Sequence, residues 1–127
     1  MTMYFVIKAK LPSLNDVIDK NRANKYYAAS YKAEIEELIG WAIKQALTSG
    51  TLRPVKKRCI IHIDWHEATK RRDADNIQSS QKFILDALVK NKVLINDSRR
   101  YVKNVTHEII DDKDKKDFVV VRIEEIG

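Results

Sequence analysis

Apolar and polar residues alternate from Tyr4 to Leu11, with Phe5, Ile7, Ala9 and Leu11 on one side and Lys8 and Lys10 on the other. A period of two predicts a strand, and Pro12-Ser13 stops it. Residues 15–29 show no period. From Ala29 to Ser49 the spacing becomes helical, with Tyr31, Ile35, Leu38, Ile39, Ala42, Ile43, Ala46 and Leu47 on one side. Gly50 is placed to close that helix as a left-handed cap. Alternation returns from Cys59 to His66, where Cys59, Ile61, Ile63 and Trp65 oppose Ile60, His62, Asp64 and His66. A second helical pattern runs from Asn76 to about Asn91. Two further strands are predicted, Tyr101–Ile110 and Phe118–Ile126, the second with Val119, Val121 and Ile123 inward. The wholly charged segment Asp111–Lys116 between them reads as a hairpin turn. The order β-α-β-α-β-β predicts an α+β fold, a small mixed sheet with two main helices packed on it.

The chain has 127 residues, 44% hydrophobic and 33% charged. That is one domain, 1–127, large enough to bury a core without staples. No apolar run approaches membrane-spanning length, and Met1-Thr2-Met3-Tyr4 does not open a signal segment. Cys59 is the one cysteine, so neither an internal disulfide nor a zinc cluster is expected, and a reducing, cytoplasmic setting is. The sign of the charge is more informative. The net charge is +6, with pI near 9.4, and this fits an anionic partner, nucleic acid before membrane.

Candidate chemistry concentrates in Lys70-Arg71-Arg72-Asp73-Ala74-Asp75-Asn76. Asp-x-Asp at a strand-to-helix turn can aim two carboxylates into one cleft. Mg²⁺ takes oxygen ligands, often one or two carboxylates with waters and substrate phosphate. The adjacent cations suit an anionic substrate, so the stretch reads as a metal-assisted phosphodiester hydrolysis site. Along the helix that follows, Asp75, Ser79, Lys82 and Asp86 fall in one polar stripe (i, i+4, i+7, i+11) on an otherwise apolar cylinder. Lys82 has two accounts, a functional cation and an i, i+4 ion-pair partner of Asp86. A third carboxylate, Asp97, comes just before Arg99-Arg100.

Other clusters have plainer accounts. Glu34, Glu36 and Glu37 fall in the first half of the predicted helix, where carboxylates favour the dipole. His62, Asp64 and His66 share a strand face in a possible metal-ligand pattern. They lack a further ligand nearby, and a half-exposed polar face accounts for them better; His66 is close enough in sequence to Asp73 to line a cleft mouth. The loop with Lys20, Arg22, Lys25, Tyr26 and Tyr27 has the composition to track a backbone and stack on a base. Its simpler account is one packed tyrosine in a solvated loop.

Taken together, Arg72-Asp73-Ala74-Asp75-Asn76, Lys82 ahead of Asp86-Ala87-Leu88, and Asn96-Asp97 resemble the RusA family of Holliday junction resolvases. Leu11-Pro12-Ser13-Leu14-Asn15 resembles the Pro-Ser-x-Asn segment after that family's first strand. The resemblance runs in order from about Lys10 to Asp97. It implies Asp73, Asp75 and Asp97 as carboxylates for Mg²⁺, with Mn²⁺ a possible substitute, and Lys82 as the catalytic lysine. Asn15 and the loop after it would lie near the site. It further implies a homodimer of phage or prophage type that nicks opposed strands of a four-way DNA junction in recombination and repair. Lys70, Arg71, Arg72, Asn76, Arg99, Arg100 and Asn15 are the expected DNA contacts. Two departures stand out: Asn96-Asp97 replaces an Asp-Asp pair, and Lys82 lies three residues farther from the Asp-x-Asp. They leave two other readings, a DNA-binding module that does not cut and a nuclease of other branched DNA.

Overall fold

The computed structural model describes residues 2–13, 16 and 25–127. Asn15, Lys20 and Arg22, and the side chains of Lys25, Tyr26 and Tyr27, lie outside that description. The elements in chain order are β1 (Thr2–Ile7), α1 (Lys25–Ser49), β2 (Cys59–Glu67), α2 (Ala74–Gln78), α3 (Gln81–Lys90), β3 (Val102–Asp111) and β4 (Phe118–Glu125). The fold is α+β, a four-stranded mixed sheet in the order β1-β4-β2-β3.

Alternation along the strands sorts the residues of each into two faces. Met3, Phe5 and Ile7 of β1, Cys59, Ile61, Ile63 and Trp65 of β2, and Val119, Val121 and Ile123 of β4 are all buried. On this face lie Ile35, Ile39, Ile43 and Ala46 of α1 and Phe83, Ile84, Leu85, Ala87 and Leu88 of α3, completing one core. Each of these larger side chains contributes about 1.5–3 kcal/mol through its removal from water. The opposite face, with His62, Asp64, His66 and Arg122, is half-exposed.

Gly50 does close α1. Its φ is 86°, and its N–H reaches the Ala46 carbonyl at 3.0 Å, a backbone state that costs glycine no side-chain clash. The glutamates expected near the start of α1 are instead internal to it, because the helix already runs from Lys25 and has no acid in its first turn. Glu36 pairs across to Lys90 of α3 at 3.0 Å.

Two expectations from the periodicity are corrected. The single helix expected over 76–91 is broken into α2 and α3 at Ser79-Ser80. The Ser79 hydroxyl donates to the Asn76 carbonyl at 2.7 Å, and the buried Ser80 hydroxyl donates to the Pro12 carbonyl. Serine hydroxyls that capture carbonyls compete with the helical ladder. The segment 112–117 is not a hairpin turn. β3 pairs parallel to β2, whereas β4 pairs antiparallel to both β2 and β1. The segment therefore crosses the end of β2. Asp112 organises it, its Oδ2 accepting from the N–H groups of Asp114 at 3.1 Å and Lys116 at 3.0 Å. The Asp112 N–H is in turn donated to Glu67 O at 3.0 Å.

Candidate functional site

The Asp-x-Asp sits in the connection from β2 into α2. Asp73 is the N-cap residue of α2, though its side chain caps nothing, and Asp75 lies in the first turn. Both are exposed, and neither side chain takes part in a hydrogen bond or ion pair among the described residues. Acids here favour the helix dipole. They also present two carboxylates whose oxygens have no partner among the described residues. Ile77 N–H on Asp73 O (3.1 Å) and Ser79 N–H on Asp75 O (3.0 Å) set the backbone between them.

The loop is held from below by an arginine. Arg72 makes a two-pronged pair with buried Glu67, at 3.0 Å from Nε and 2.8 Å from Nη2. Its Nη1 donates to Leu11 O at 2.7 Å. Arg72 was expected to grip DNA. Its three hydrogen bonds and 15% side-chain exposure make it a structural clamp that ties the segment after β1 to the Asp-x-Asp loop. Leu11–Ser13 thus docks beside the candidate site, through Leu11 on Arg72 and Pro12 on Ser80. Of the other expected contacts, Arg71 is exposed, and Lys70 is exposed and 3.6 Å from Asp111. Asn76 is half-buried at the start of α2.

Lys82 lies on α3 with its Nζ 3.7 Å from Asp86, both largely exposed. Such a pair contributes about 0.3–0.5 kcal/mol, which leaves the ammonium available. Ser79 and Ser80 keep right-handed helical angles (φ −61°, ψ −22° and φ −71°, ψ −7°). Asp75 of α2 and Lys82 and Asp86 of α3 are all exposed.

Asp97 is elsewhere. It is exposed in the connection from α3 to β3, two residues before Arg99. Arg99 O accepts from Arg58 Nε at 3.0 Å, and Tyr101 O accepts from Cys59 N–H at 2.9 Å. Asp97 is therefore beside the first residues of β2, while Asp73 follows its last. The nine residues of β2, at roughly 3.3 Å each, put about 30 Å between the two ends. The parallel crossover causes this separation, because the helical connection α2–α3 must return the chain to the starting end of β2 before the parallel strand β3 can begin. Among the described residues no three His, Cys, Asp or Glu side chains form a group able to hold a metal ion. One chain brings Asp73 and Asp75 together and leaves Asp97 at the far end. Asn96 uses its Oδ1 to accept Ser98 N–H at 2.8 Å, a local turn contact.

The His62-Asp64-His66 face is spent on neighbours. His62 Nδ1 lies 2.6 Å from Thr106 Oγ1 and its Nε2 3.2 Å from Glu124. Asp64 accepts from Arg122 at 3.1 and 3.3 Å. His66 stacks on Phe118 and lies 3.3 Å from Asp112. On the inner face, His107 Nδ1 accepts the Trp65 indole N–H at 3.0 Å, so the ring's proton is on Nε2, toward Gln81 Oε1 at 2.7 Å. Burial holds the His107 pKa below its ordinary value. Cys59 is fully buried, and burial first, then the Glu125 charge, raises its pKa to about 11. It is an inert core thiol.

Lys56, Lys57 and Arg58 join Arg100 and Tyr101 around a cleft at the Asp97 end, with Arg58 also bonded to Arg99 O. The sequence showed both cationic runs but gave no sign that they meet. No helix is long and apolar enough to cross a membrane among the described residues. No protein-family model matches the chain, and no curated protein matches it significantly.

Proposed function

We propose that this protein is a Mg²⁺-dependent endonuclease of branched DNA, four-way junctions foremost, of the type its sequence resembles. The observation that carries the reading is the pair of exposed carboxylates, Asp73 and Asp75, without a side-chain partner among the described residues, on a loop that also carries Lys70 and Arg71. Carboxylates left without a cationic partner beside exposed cations suit a site awaiting both a metal and a phosphate. Their donor chemistry fits Mg²⁺, which needs few protein ligands when substrate supplies the rest. When bound, the ion polarises a phosphodiester and lowers the pKa of an attacking water.

The chain's own groups have separate tasks. Asp73 and Asp75 hold the metal position. Lys82, exposed on the next helix, offers a positive charge to the phosphate or leaving oxygen. Lys70 and Arg71 hold backbone phosphates, which position the strand without reading its sequence. Arg72 fixes the loop on the fold.

Asp97 enters this reading through a second copy. A two-fold axis perpendicular to β2 reverses strand direction and sets the beginning of one chain's β2 beside the end of its partner's. Each site then combines Asp73 and Asp75 of one chain with Asp97 of the other, and the dimer offers two sites to the two opposed strands of a junction. A junction-binding module that does not cut is the opposing reading, favoured by the distance of Asp97 within one chain.

The test is a labelled four-way junction with and without Mg²⁺. Wild-type protein nicks it only with the metal. Asp75→Asn, which keeps the shape and loses an anionic ligand, binds the junction and cuts at least a hundredfold more slowly. Wild-type protein that binds junctions and leaves them intact in Mg²⁺ or Mn²⁺ establishes the opposing reading.

A further inference from the structure

The far end of the sheet carries a second concentration of chemistry. Two chain segments meet there, the lead into β2 and the stretch from α3 to β3. Backbone hydrogen bonds lock them together: Val55 N–H to Val93 O at 2.8 Å and Cys59 N–H to Tyr101 O at 2.9 Å, with the Arg58 side chain on Arg99 O. Between them lies a cleft of about 190 Å³ whose walls include Lys56, Lys57, Arg58, Ile95, Arg100 and Tyr101. Further hollows next to it share Lys57. The half-buried acid at this end of the sheet, Glu125, is already engaged. Glu125 accepts from Arg53, and its Oε2 takes the backbone N–H groups of Lys56 at 2.8 Å and Lys57 at 3.2 Å. That turns the backbone of residues 56–57 inward and leaves their side chains to solvent. Among the described residues, none of Lys56, Lys57, Arg58, Arg99 or Arg100 makes an ion pair.

Apolar surface interrupts these charges. Ile95 is 70% exposed, the most exposed of the large hydrophobic side chains among the described residues. Tyr101 is half-buried, with the Arg100 guanidinium carbon 6.0 Å from its ring centroid. A merely solubilising basic patch has no use for an exposed isoleucine and an aromatic ring in its centre. A rigid duplex would satisfy the cations through its phosphates but keep its base faces stacked inside. An unpaired strand offers phosphates to the lysines and arginines and a free base face to the tyrosine at once. The cleft is smaller than the roughly 300 Å³ at which enclosed sites for drug-sized ligands begin. It suits one protruding base rather than a whole small molecule. One isoleucine is too little apolar surface for stable seating on a bilayer.

We infer that this cleft binds an unpaired segment of DNA, with backbone phosphates on Lys56, Lys57 and Arg100 and one base against Tyr101 and Ile95. It is at the opposite end of β2 from the Asp-x-Asp loop of the same chain. The inference rests on the DNA reading above but on neither metal nor cutting. In the two-chain arrangement the cleft lies beside Asp97, so it would guide an unpaired arm toward the partner's carboxylates.

The experiment measures binding of the full chain in EDTA, which stops cleavage. The probes are a forked DNA with 2-aminopurine in its unpaired arm, a blunt duplex of equal length, and anionic phospholipid vesicles. Wild-type protein should prefer the fork at least tenfold and change the 2-aminopurine fluorescence on binding. The combined Lys56→Gln, Lys57→Gln, Arg100→Gln variant should lose that preference. Its salt slope should fall by up to about 2, at roughly 0.7 per single-strand phosphate contact. Tyr101→Leu should lose the fluorescence change and Tyr101→Phe retain it; the Phe variant keeps the ring should Leu disturb the fold. Fork binding and fluorescence that are unchanged in the triple and Tyr101→Leu variants overturn the cleft assignment alone. Vesicle binding that depends on these residues, without fork preference, replaces DNA with membrane. Failure of wild-type protein to bind any of the DNA probes overturns the functional reading and this inference with it.

Discussion

Arg72 and Lys82 show how much a side chain's use depends on its partners. Both are cations flanking the same acidic loop. Arg72 is turned inward onto Glu67, which is 5% exposed, and onto Leu11 O. Removing one member of a buried, hydrogen-bonded ion pair leaves the other charge uncompensated, at a cost of about 3–5 kcal/mol. Arg72→Ala should therefore lower unfolding stability in urea by that amount, and its effect on DNA should follow from the loss of loop order. A change below 1 kcal/mol would return Arg72 to the role of a surface phosphate contact. Lys82 is exposed and, among the described residues, held only by an exposed pair with Asp86. Lys82→Ala should keep its stability within 0.5 kcal/mol or so, bind junctions and fail to cut. Ser79→Ala, which removes no charge, should cut as wild type does. Normal cleavage by Lys82→Ala would leave ion pairing as its role.

Among the elements, the lead into β2 depends on one carboxylate. Glu125, at the end of β4, gathers Arg53 and the N–H groups of Lys56 and Lys57. The Arg53 hydrogen bond above all, then the Lys56 N–H, hold its carboxyl below the ordinary glutamate value. A depressed carboxylate pKa stabilises the fold above the unfolded-state value, and that contribution is lost as pH falls through the folded-state one. The melting temperature should accordingly drop as pH is lowered below about 4. Glu125→Gln should melt lower at pH 7 and show a shallower acid decline. An acid decline of equal steepness in the variant would remove Glu125 from the account. The break between α2 and α3 is also set by contacts rather than propensity, since Ser80 is tied to the Pro12 carbonyl.

For the whole molecule, the parallel crossover is decisive. It separates Asp73 and Asp75 from Asp97 by the length of β2, so a three-carboxylate site requires two chains. Mixing is the direct test. On that reading Asp75→Asn and Asp97→Asn should each be inactive alone. In a mixed dimer, one of the two sites takes its Asp75 from the Asp97→Asn chain and its Asp97 from the Asp75→Asn chain, and is intact. Nicking should reappear on mixing, toward half the wild-type level per mixed dimer. Continued inactivity after subunit exchange, verified by sedimentation of the mixture, would exclude the shared site.

The amino-acid sequence by itself determined the local periods and the residue types. Alternation at Cys59–His66 and helical spacing at Ala29–Ser49 specify which faces are buried, because burial of apolar side chains follows the geometry of each element. The Gly50 cap was legible for the same reason, as was the Asp73-Ala74-Asp75 pair, adjacent in any fold. The partners were not legible, since they come from distant parts of the chain. Only the tertiary structure decided that β4 enters between β1 and β2, that Arg72 faces Glu67 and Leu11, and that Lys56–Arg58 meet Arg99–Tyr101. It also decided that Asp97 is at the far end from Asp73, because strand pairing and crossover direction are set by packing of the whole sheet and not by the spacing of residues along the chain.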